Sequence, residues 1–347
     1  MRIPKHLERG DCVAIVSLSE GTLGEPWAIH KLYIAQERLE KDYGLRIKLM
    51  PNALKGKQYL YEHPEARAAD WMQAFRDPEV KAIFNAIGGD DTIRLLPYID
   101  FEVIRQNPKI FTGFSDTTTN HFMMYRAGVR SYYGAAVMTN FSEYGKINDY
   151  TARAIRDTLF EPKPELDIPS APYWYDDEDE RIWWKEENIH RLKPYHPERI
   201  GYELLQGGGV AEGELLGGCI DVFPELMGTP IWPGPEEWRG KLLFIETSEE
   251  DMPCEYLTWF LRGLAAQGIF GVISGVLVGK PARRSKYEPY KEVWRKVVGF
   301  EAGRPDLPIL YNLNFGHAEP IGVLPIGARC RLDAERKTLT LLEPATL

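Results

Sequence analysis

The first 113 residues are broken into short apolar runs that stop abruptly, separated by stretches long enough for a helix. Residues 11–18, Asp-Cys-Val-Ala-Ile-Val-Ser-Leu, are short, apolar and β-branched, the pattern of a strand buried on both faces. Residues 46–50 alternate and stop at Pro51, residues 81–87 stop at Gly88-Gly89, and residues 110–113 stop before Ser115. Between them, 26–43 carries Leu32, Ile34, Leu39 and Tyr43 at a loose helical spacing, and 64–77 carries Ala66, Ala69, Trp71, Met72 and Phe75. A further helix is expected over 117–127. Strands alternating with helices mean βαβ units and a mostly parallel sheet.

The pattern changes near residue 161. Residues 162–196 hold five prolines, the acid run 176–180 and Trp174, Trp183 and Trp184, with no apolar periodicity. A segment of that length reads as a connecting loop, and such loops are usually functional or disordered. Beyond 200, short glycine-rich apolar strands are expected at 213–216, 242–246, 272–278 and 308–313, with a terminal pair at 328–332 and 338–342. Helices are expected at 220–227 and 254–267. The expected organisation is an α/β domain over 1–161, a Trp-rich connecting loop over 162–199 and a β-rich domain over 200–347, and a length of 347 residues suits two domains.

Lys plus Arg number 42 against 51 Asp plus Glu, a net charge of −9. That balance speaks against a nucleic-acid polymer or an anionic membrane as partner, because both demand basic surface. Apolar stretches fall far short of the roughly 20 residues that span a bilayer, and the N-terminus shows no signal-peptide pattern. Cys12, Cys219, Cys254 and Cys330 stand alone, without disulfide-scaffold or zinc spacing, so a reducing cytoplasm is the expected compartment.

Four places could carry chemistry. Gly113-Phe114-Ser115-Asp116-Thr117 puts a serine where a strand turns into a helix, which exposes a hydroxyl beside helix-start amides. Its plain alternative is an N-cap, and on the pentapeptide alone the cap is the better reading. Gly88-Gly89-Asp90-Asp91-Thr92 ends a strand with two glycines, whose free amides suit an anion or an oxyanion; a tight turn with an Asp cap is as good a reading. His317, flanked by Gly316, has the most loop-like setting of the seven histidines, and a histidine is the usual partner of a serine, though a surface histidine is the default. Glu246 ends the apolar run Lys241-Leu-Leu-Phe-Ile-Glu, well placed to orient an imidazole, whereas Glu249, Glu250 and Asp251 read as a solvated acidic loop. The acid run 176–180 also reads as solvated, so no metal is expected.

Taken in order, these segments resemble the family of the LD-carboxypeptidases and the microcin C self-immunity proteins. The stretches that carry the resemblance are Gly88-Gly89-Asp90-Asp91-Thr92-Ile93-Arg94-Leu95-Leu96-Pro97-Tyr98 and Pro108-Lys109-Ile110-Phe111-Thr112-Gly113-Phe114-Ser115-Asp116-Thr117-Thr118, followed by Gly213-Glu214-Leu215-Leu216-Gly217-Gly218, Leu226-Met227-Gly228-Thr229-Pro230, Leu243-Phe244-Ile245-Glu246 and Gly316-His317. The resemblance implies a flavodoxin-like N-terminal domain with a parallel sheet, a smaller β-rich C-terminal domain, and a homodimer. It implies a triad of Ser115 as nucleophile, His317 as base and then acid, and Glu246 orienting His317. An oxyanion hole from the amides of Gly89 and Asp116 goes with it, and no cofactor.

Asp90-Asp91 and the Trp-rich loop resemble the microcin-immunity branch, in which a loop Trp stacks on a nucleotide base. That makes Asp90, Asp91, Trp183 and Trp184 the expected substrate contacts. Because the two Trp are adjacent, an extended loop would point them opposite ways and only one could stack. The leading expectation is a metal-independent serine hydrolase cutting an amide in a small peptidyl-nucleotide, in self-immunity or detoxification. The alternative is an LD-carboxypeptidase trimming muropeptides, and a non-catalytic binding protein on the same scaffold is the reading from a different class.

Overall fold

The computed structural model describes residues 1–175 and 180–347, which fall into two compact units. The N-terminal unit comprises Met1–Pro162, 180–194 and Ala345–Leu347. Its strands are β1 (Cys12–Val16), β2 (Arg46–Leu49), β3 (Val80–Asn85), β4 (Ile110–Gly113) and β5 (Tyr132–Tyr133), which lie in the order β5-β4-β3-β1-β2, every pair parallel. Its helices are α1 (Ile29–Lys41), α2 (Gly56–Glu62), α3 (Pro64–Arg76), α4 (Phe101–Gln106), α5 (Thr118–Ala127) and α6 (Asp149–Ile155).

The apolar run at 11–18 becomes β1 because it has neighbours on both sides, and Val13, Ala14, Ile15 and Val16 are wholly buried. From β1 the chain goes out to β2 on one side and returns to build β3, β4 and β5 on the other. This is the flavodoxin-like order, and its crevice opens at the carboxyl ends of β1 and β3. Around the sheet, α1 buries Leu32, Ala35 and Leu39 as one stripe, α3 starts on Pro64, and α5 stops at Gly128 in the left-handed conformation. Helix α2 goes unread in the sequence because only Gly56 and Leu60 of its seven residues are buried, too few for a periodic signal.

The C-terminal unit comprises 163–175 and Tyr195–Pro344. Its strands are β6 (Leu166–Ile168), β7 (Tyr173–Tyr175), β8 (Tyr195–Pro197), β9 (Glu203–Gln206), β10 (Val210–Cys219), β11 (Leu242–Glu246), β12 (Gly275–Gly279), β13 (Ile309–Leu313), β14 (Leu324–Pro325), β15 (Arg329–Asp333) and β16 (Thr338–Leu341). Eight of them form a sheet in the order β6-β16-β15-β10-β11-β12-β13-β9. The centre, β10-β11-β12-β13, is parallel, and both edges are antiparallel. The helices are α7 (Phe223–Leu226), α8 (Cys254–Ala266), α9 (Ile269–Val272) and α10 (Tyr287–Trp294). Strand β10 is longer than its apolar stretch because its first half runs along the antiparallel edge, where polar residues face out.

The expected connecting loop carries short elements of its own. Strand β6 closes one sheet edge, β7 and β8 pair as an antiparallel ribbon, and two single-turn helices, Glu180–Trp184 and Glu186–Asn188, belong to the N-terminal unit. Strands of three residues are too short to leave an alternating pattern. The acid run 176–180 lies outside the described side chains. All four cysteines are free thiols, and among the described residues no helix is long and apolar enough to cross a membrane.

Candidate active site

In the N-terminal unit the carboxyl ends of β1, β3 and β4 converge, and Ser115 stands there. It follows β4 by two residues and opens a short 3-10 turn, Ser115–Thr117, that leads into α5. Its φ is 63°, a left-handed conformation that is costly for any residue with a side chain. Such strain is kept where a side chain must be thrust out of a sharp strand-to-helix turn.

The Gly88-Gly89 turn presses on this corner. A β-carbon at Gly88 would sit 2.7 Å from Ser115 Cβ and 2.8 Å from its Oγ, so only glycine lets the two backbones meet. Asp116, buried, ties the turn to the serine: its Oδ2 accepts from the Ser19 hydroxyl at 2.5 Å, the Thr92 hydroxyl at 2.6 Å and the amides of Asp91 and Thr92. Burial pushes the Asp116 carboxyl up, against the pull of those hydrogen bonds. Asn85 bonds the Thr117 hydroxyl and the Leu18 amide, knitting the ends of β1 and β3 to the serine turn. Beneath it, buried His121 bridges Ser131 and the Gly113 carbonyl, and burial lowers its pKa to about 4, so the ring is neutral.

Asp90 is exposed. Asp91, the other expected substrate contact, gives its carboxylate to Arg67 at 2.6 and 3.0 Å and to Arg94 at 2.8 Å. Arg67 is fully buried and also bonds the Leu18 and Ser19 carbonyls, so Asp91 holds the turn against β1. The Asp-Asp pair gave no hint of this, because its arginine lies more than twenty residues upstream.

In the C-terminal unit Glu246 ends β11 and His317 follows β13, again at the carboxyl edge of parallel strands. Glu246 Oε2 accepts from His317 Nδ1 at 2.7 Å and from the His317 amide at 3.2 Å. Gly316 makes the approach possible, since a β-carbon there would lie 2.4 Å from the Glu246 carboxyl group. Burial disfavours a charged ring at His317, but the adjacent Glu246 carboxylate outweighs it and, with Glu249 and Asp221, pushes the pKa up to about 9. Glu249, read as part of a solvated loop, in fact reaches His317: its Oε2 is 3.2 Å from Nε2. The sequence could not show this, since it depends on how the turn after β11 folds back.

Cys219 pairs with Glu246 in the β10–β11 register, and donor atoms of Cys219, Glu246 and His317 lie within 4.8 Å of one another. The Cys219 thiol bonds Asp221, and burial first, then Glu246 and Asp221, push its pKa well up. Glu246 and His317 are bonded to each other, and the thiol lies beside them.

The two loop Trp sit in a 3-10 turn, not in an extended loop, so their side chains leave the backbone about 120° apart and meet different neighbours. Trp184 meets Trp27 edge-on at 6.0 Å and has the Lys31 ammonium 5.0 Å from its ring centre; Trp27, Trp184, Lys185, Glu186 and Glu187 line an open groove. Trp183 packs against Tyr144 at 6.4 Å, with Lys193 and Arg191 near its ring.

Residues 13–134 match the model of the LD-carboxypeptidase N-terminal domain, and residues 212–332 match that of the C-terminal domain. The chain belongs to the LD-carboxypeptidase family. It is 31% identical over 345 residues to a probable murein peptide carboxypeptidase of Bacillus subtilis, covering 97% of this chain and 93% of that one. It is 27% identical over 303 residues to the microcin C7 self-immunity protein MccF of Escherichia coli, covering 85% of this chain and 84% of that one. An MccF-like protein from Streptococcus pneumoniae, solved in complex with AMP, matches with a TM-score of 0.87 at 32% identity over 96% of this chain and 98% of that one. Membership makes the chain a serine peptidase of the LD-carboxypeptidase kind, and both branches of the family stand among its relatives.

Proposed function

We propose that this chain is a metal-independent serine hydrolase that cleaves an amide in peptidyl-nucleotide compounds of the microcin C type. Ser115 Oγ attacks the amide carbonyl while His317 Nε2 takes its proton. The C–N bond breaks as Nε2 returns that proton to the leaving nitrogen, and the acyl group stays on Ser115. Water, deprotonated by the same nitrogen, then attacks the acyl-enzyme and releases the acid. Glu246 orients the ring and stabilises its charged form, and the amides of Gly89 and Asp116 take the oxyanion. No step asks for a metal.

The buried His317–Glu246 bond supports the hydrolase reading, since a carboxylate on Nδ1 orients the ring and makes Nε2, which meets the half-exposed Glu249, the nitrogen for chemistry. The Trp27–Trp184 groove beside Lys31 favours a flat base and a phosphate, and the relative solved with AMP points the same way. Asp90 is the acid left at the turn for a substrate contact. Trimming of muropeptides is the second reading, favoured by a murein peptide carboxypeptidase relative that spans 97% of the chain. The proposal includes a homodimer in the cytoplasm, which light scattering and cell fractionation measure.

Purified protein offered a peptidyl-adenylate amide and an L,D-tetrapeptide, with products read by mass spectrometry, separates the readings. Cleavage of the nucleotide substrate, lost in Ser115→Ala and indifferent to EDTA, is the expected result. Cleavage of the tetrapeptide alone moves the assignment to the second reading. Inhibition by EDTA that zinc reverses overturns the metal-independent mechanism.

A further inference from the structure

The Glu249 contact blocks the nitrogen that the proposed mechanism needs. His317 is clasped by two carboxylates, Glu246 on Nδ1 at 2.7 Å and Glu249 on Nε2 at 3.2 Å. Nε2 must receive the serine proton, so Glu249 has to leave before a substrate reacts. The two acids differ in how firmly they are held. The Glu246 side chain is fully buried at the end of β11, whereas that of Glu249 is 43% exposed on the turn that follows.

The other charges around the ring are also negative. Asp221, beyond β10, adds to the field on His317, and its carboxylate accepts from the Ser248 amide and hydroxyl, one residue before Glu249. Glu250 and Asp251 follow on the exposed turn, with Lys286 reaching Asp251 at 3.6 Å. The only cation in direct contact with Glu249 among the described residues is the histidine itself.

We propose that Glu249 is a specificity-determining residue that selects acyl groups carrying a positive charge: the cation of the substrate takes the Glu249 carboxylate away from His317 Nε2 and thereby frees the base. The inference rests on the hydrolase reading, because it needs Nε2 to be the reacting nitrogen. A cationic acyl side chain exchanges one ion pair for another, so displacement costs little. An uncharged one must break the Glu249–His317 pair without replacement. An anionic one meets Glu249 and its acidic neighbours as a like charge, which is the repulsive half of a specificity device. Drawing Glu249 off also removes one of the carboxylates that hold the proton on His317, so the right substrate leaves more of the ring unprotonated and able to accept the serine proton.

The test uses lysyl, norleucyl and glutamyl versions of one adenosine phosphoramidate, with kcat/KM measured on wild type, Glu249→Gln and Glu249→Lys. Wild type is expected to prefer lysyl over glutamyl by at least about tenfold, the scale of one partly exposed ion pair gained against one like charge met. Glu249→Gln brings the ratio to within about threefold, and Glu249→Lys reverses it. On the norleucyl substrate, Glu249→Gln moves the rising limb of the pH profile to lower pH, because His317 loses a proton-holding partner; a merely structural residue would lower the rate without moving the limb. A lysyl-to-glutamyl ratio near one in wild type, or a ratio that Glu249→Lys leaves unchanged, overturns the inference. Cleavage of none of the three substrates by wild type, or undiminished cleavage by Ser115→Ala, would instead overturn the serine-hydrolase reading beneath it, and the inference with it.

Discussion

The two halves of the proposed site are built by different physics. Around Ser115 the design is steric: a left-handed φ of 63°, a glycine that leaves no room for a β-carbon, and neutral hydrogen bonds through Asn85 and His121. Around His317 it is electrostatic: a buried carboxylate on one ring nitrogen, a half-exposed one on the other, and a pKa pushed up to about 9. Position is fixed in the first unit and protonation in the second. In the proposed mechanism the nucleophile needs exact placement and the base needs the right affinity for a proton, and the two surroundings match those two needs.

The electrostatic half should break most severely. Glu246→Gln keeps the shape and removes the charge that stabilises the imidazolium, and we expect kcat to fall by about 10⁴ with KM little changed. The sign of the pH effect follows from the raised pKa. In wild type the neutral ring becomes available only as pH approaches about 9, so kcat/KM for an uncharged substrate climbs up to there. In Glu246→Gln that limb moves down toward the ordinary range. Stability moves oppositely: the raised pKa adds stability that is complete below the unfolded value of about 6.5 and fades as pH rises through about 9. Thermal melts across that window should fall for wild type and fall less for Glu246→Gln. If Glu249→Gln has the larger effect on kcat, the orienting acid has been misassigned.

The steric half should break with a different signature. Gly88→Ala drives a methyl group against Ser115, and a displacement approaching 1 Å costs about a hundredfold in kcat. Its pH limb should stay where wild type has it. Gly316→Ala pushes instead on the Glu246 carboxyl group, so it should shift the limb as well as the rate. A common pH shift in both variants would dissolve the distinction between the halves.

What the sequence reveals follows the same division. The parallel strands of the N-terminal unit are legible because strands buried on both faces must be continuous apolar runs, as 11–18 and 81–87 are. The serine turn, the glycine pair and the acid ending β11 show in the sequence as particular residue types at the ends of apolar runs, but on the residues alone a cap and a tight turn read as well, and only the family resemblance singles them out. Long-range charge pairing leaves no such mark. Arg67 reaches Asp91 from an earlier helix, and Glu249 reaches His317 across the sheet edge. Nothing local distinguishes either from a solvated charge. The short strands β6, β7 and β8 escape for a third reason: each is held by its partner strand rather than by its own pattern.

The smallest effect lies at the aromatic groove, where the two halves are not at issue and substrate identity is. Trp184 lines the groove with Trp27, whereas Trp183 is packed against Tyr144 and flanked by Arg191 and Lys193. Trp184→Ala should therefore lower kcat/KM for the nucleotide substrate by the worth of one base stack, roughly fivefold to a hundred-and-fifty-fold at about 1–3 kcal/mol. The same variant should barely change cleavage of a peptide amide that lacks the base. Trp183→Ala should cost thermal stability and affect both substrates alike, because its ring holds the segment in place. Equal losses on both substrates from Trp184→Ala would make that ring structural too. No loss from either would remove the groove from the argument for a nucleotide, and the muropeptide reading would then take precedence.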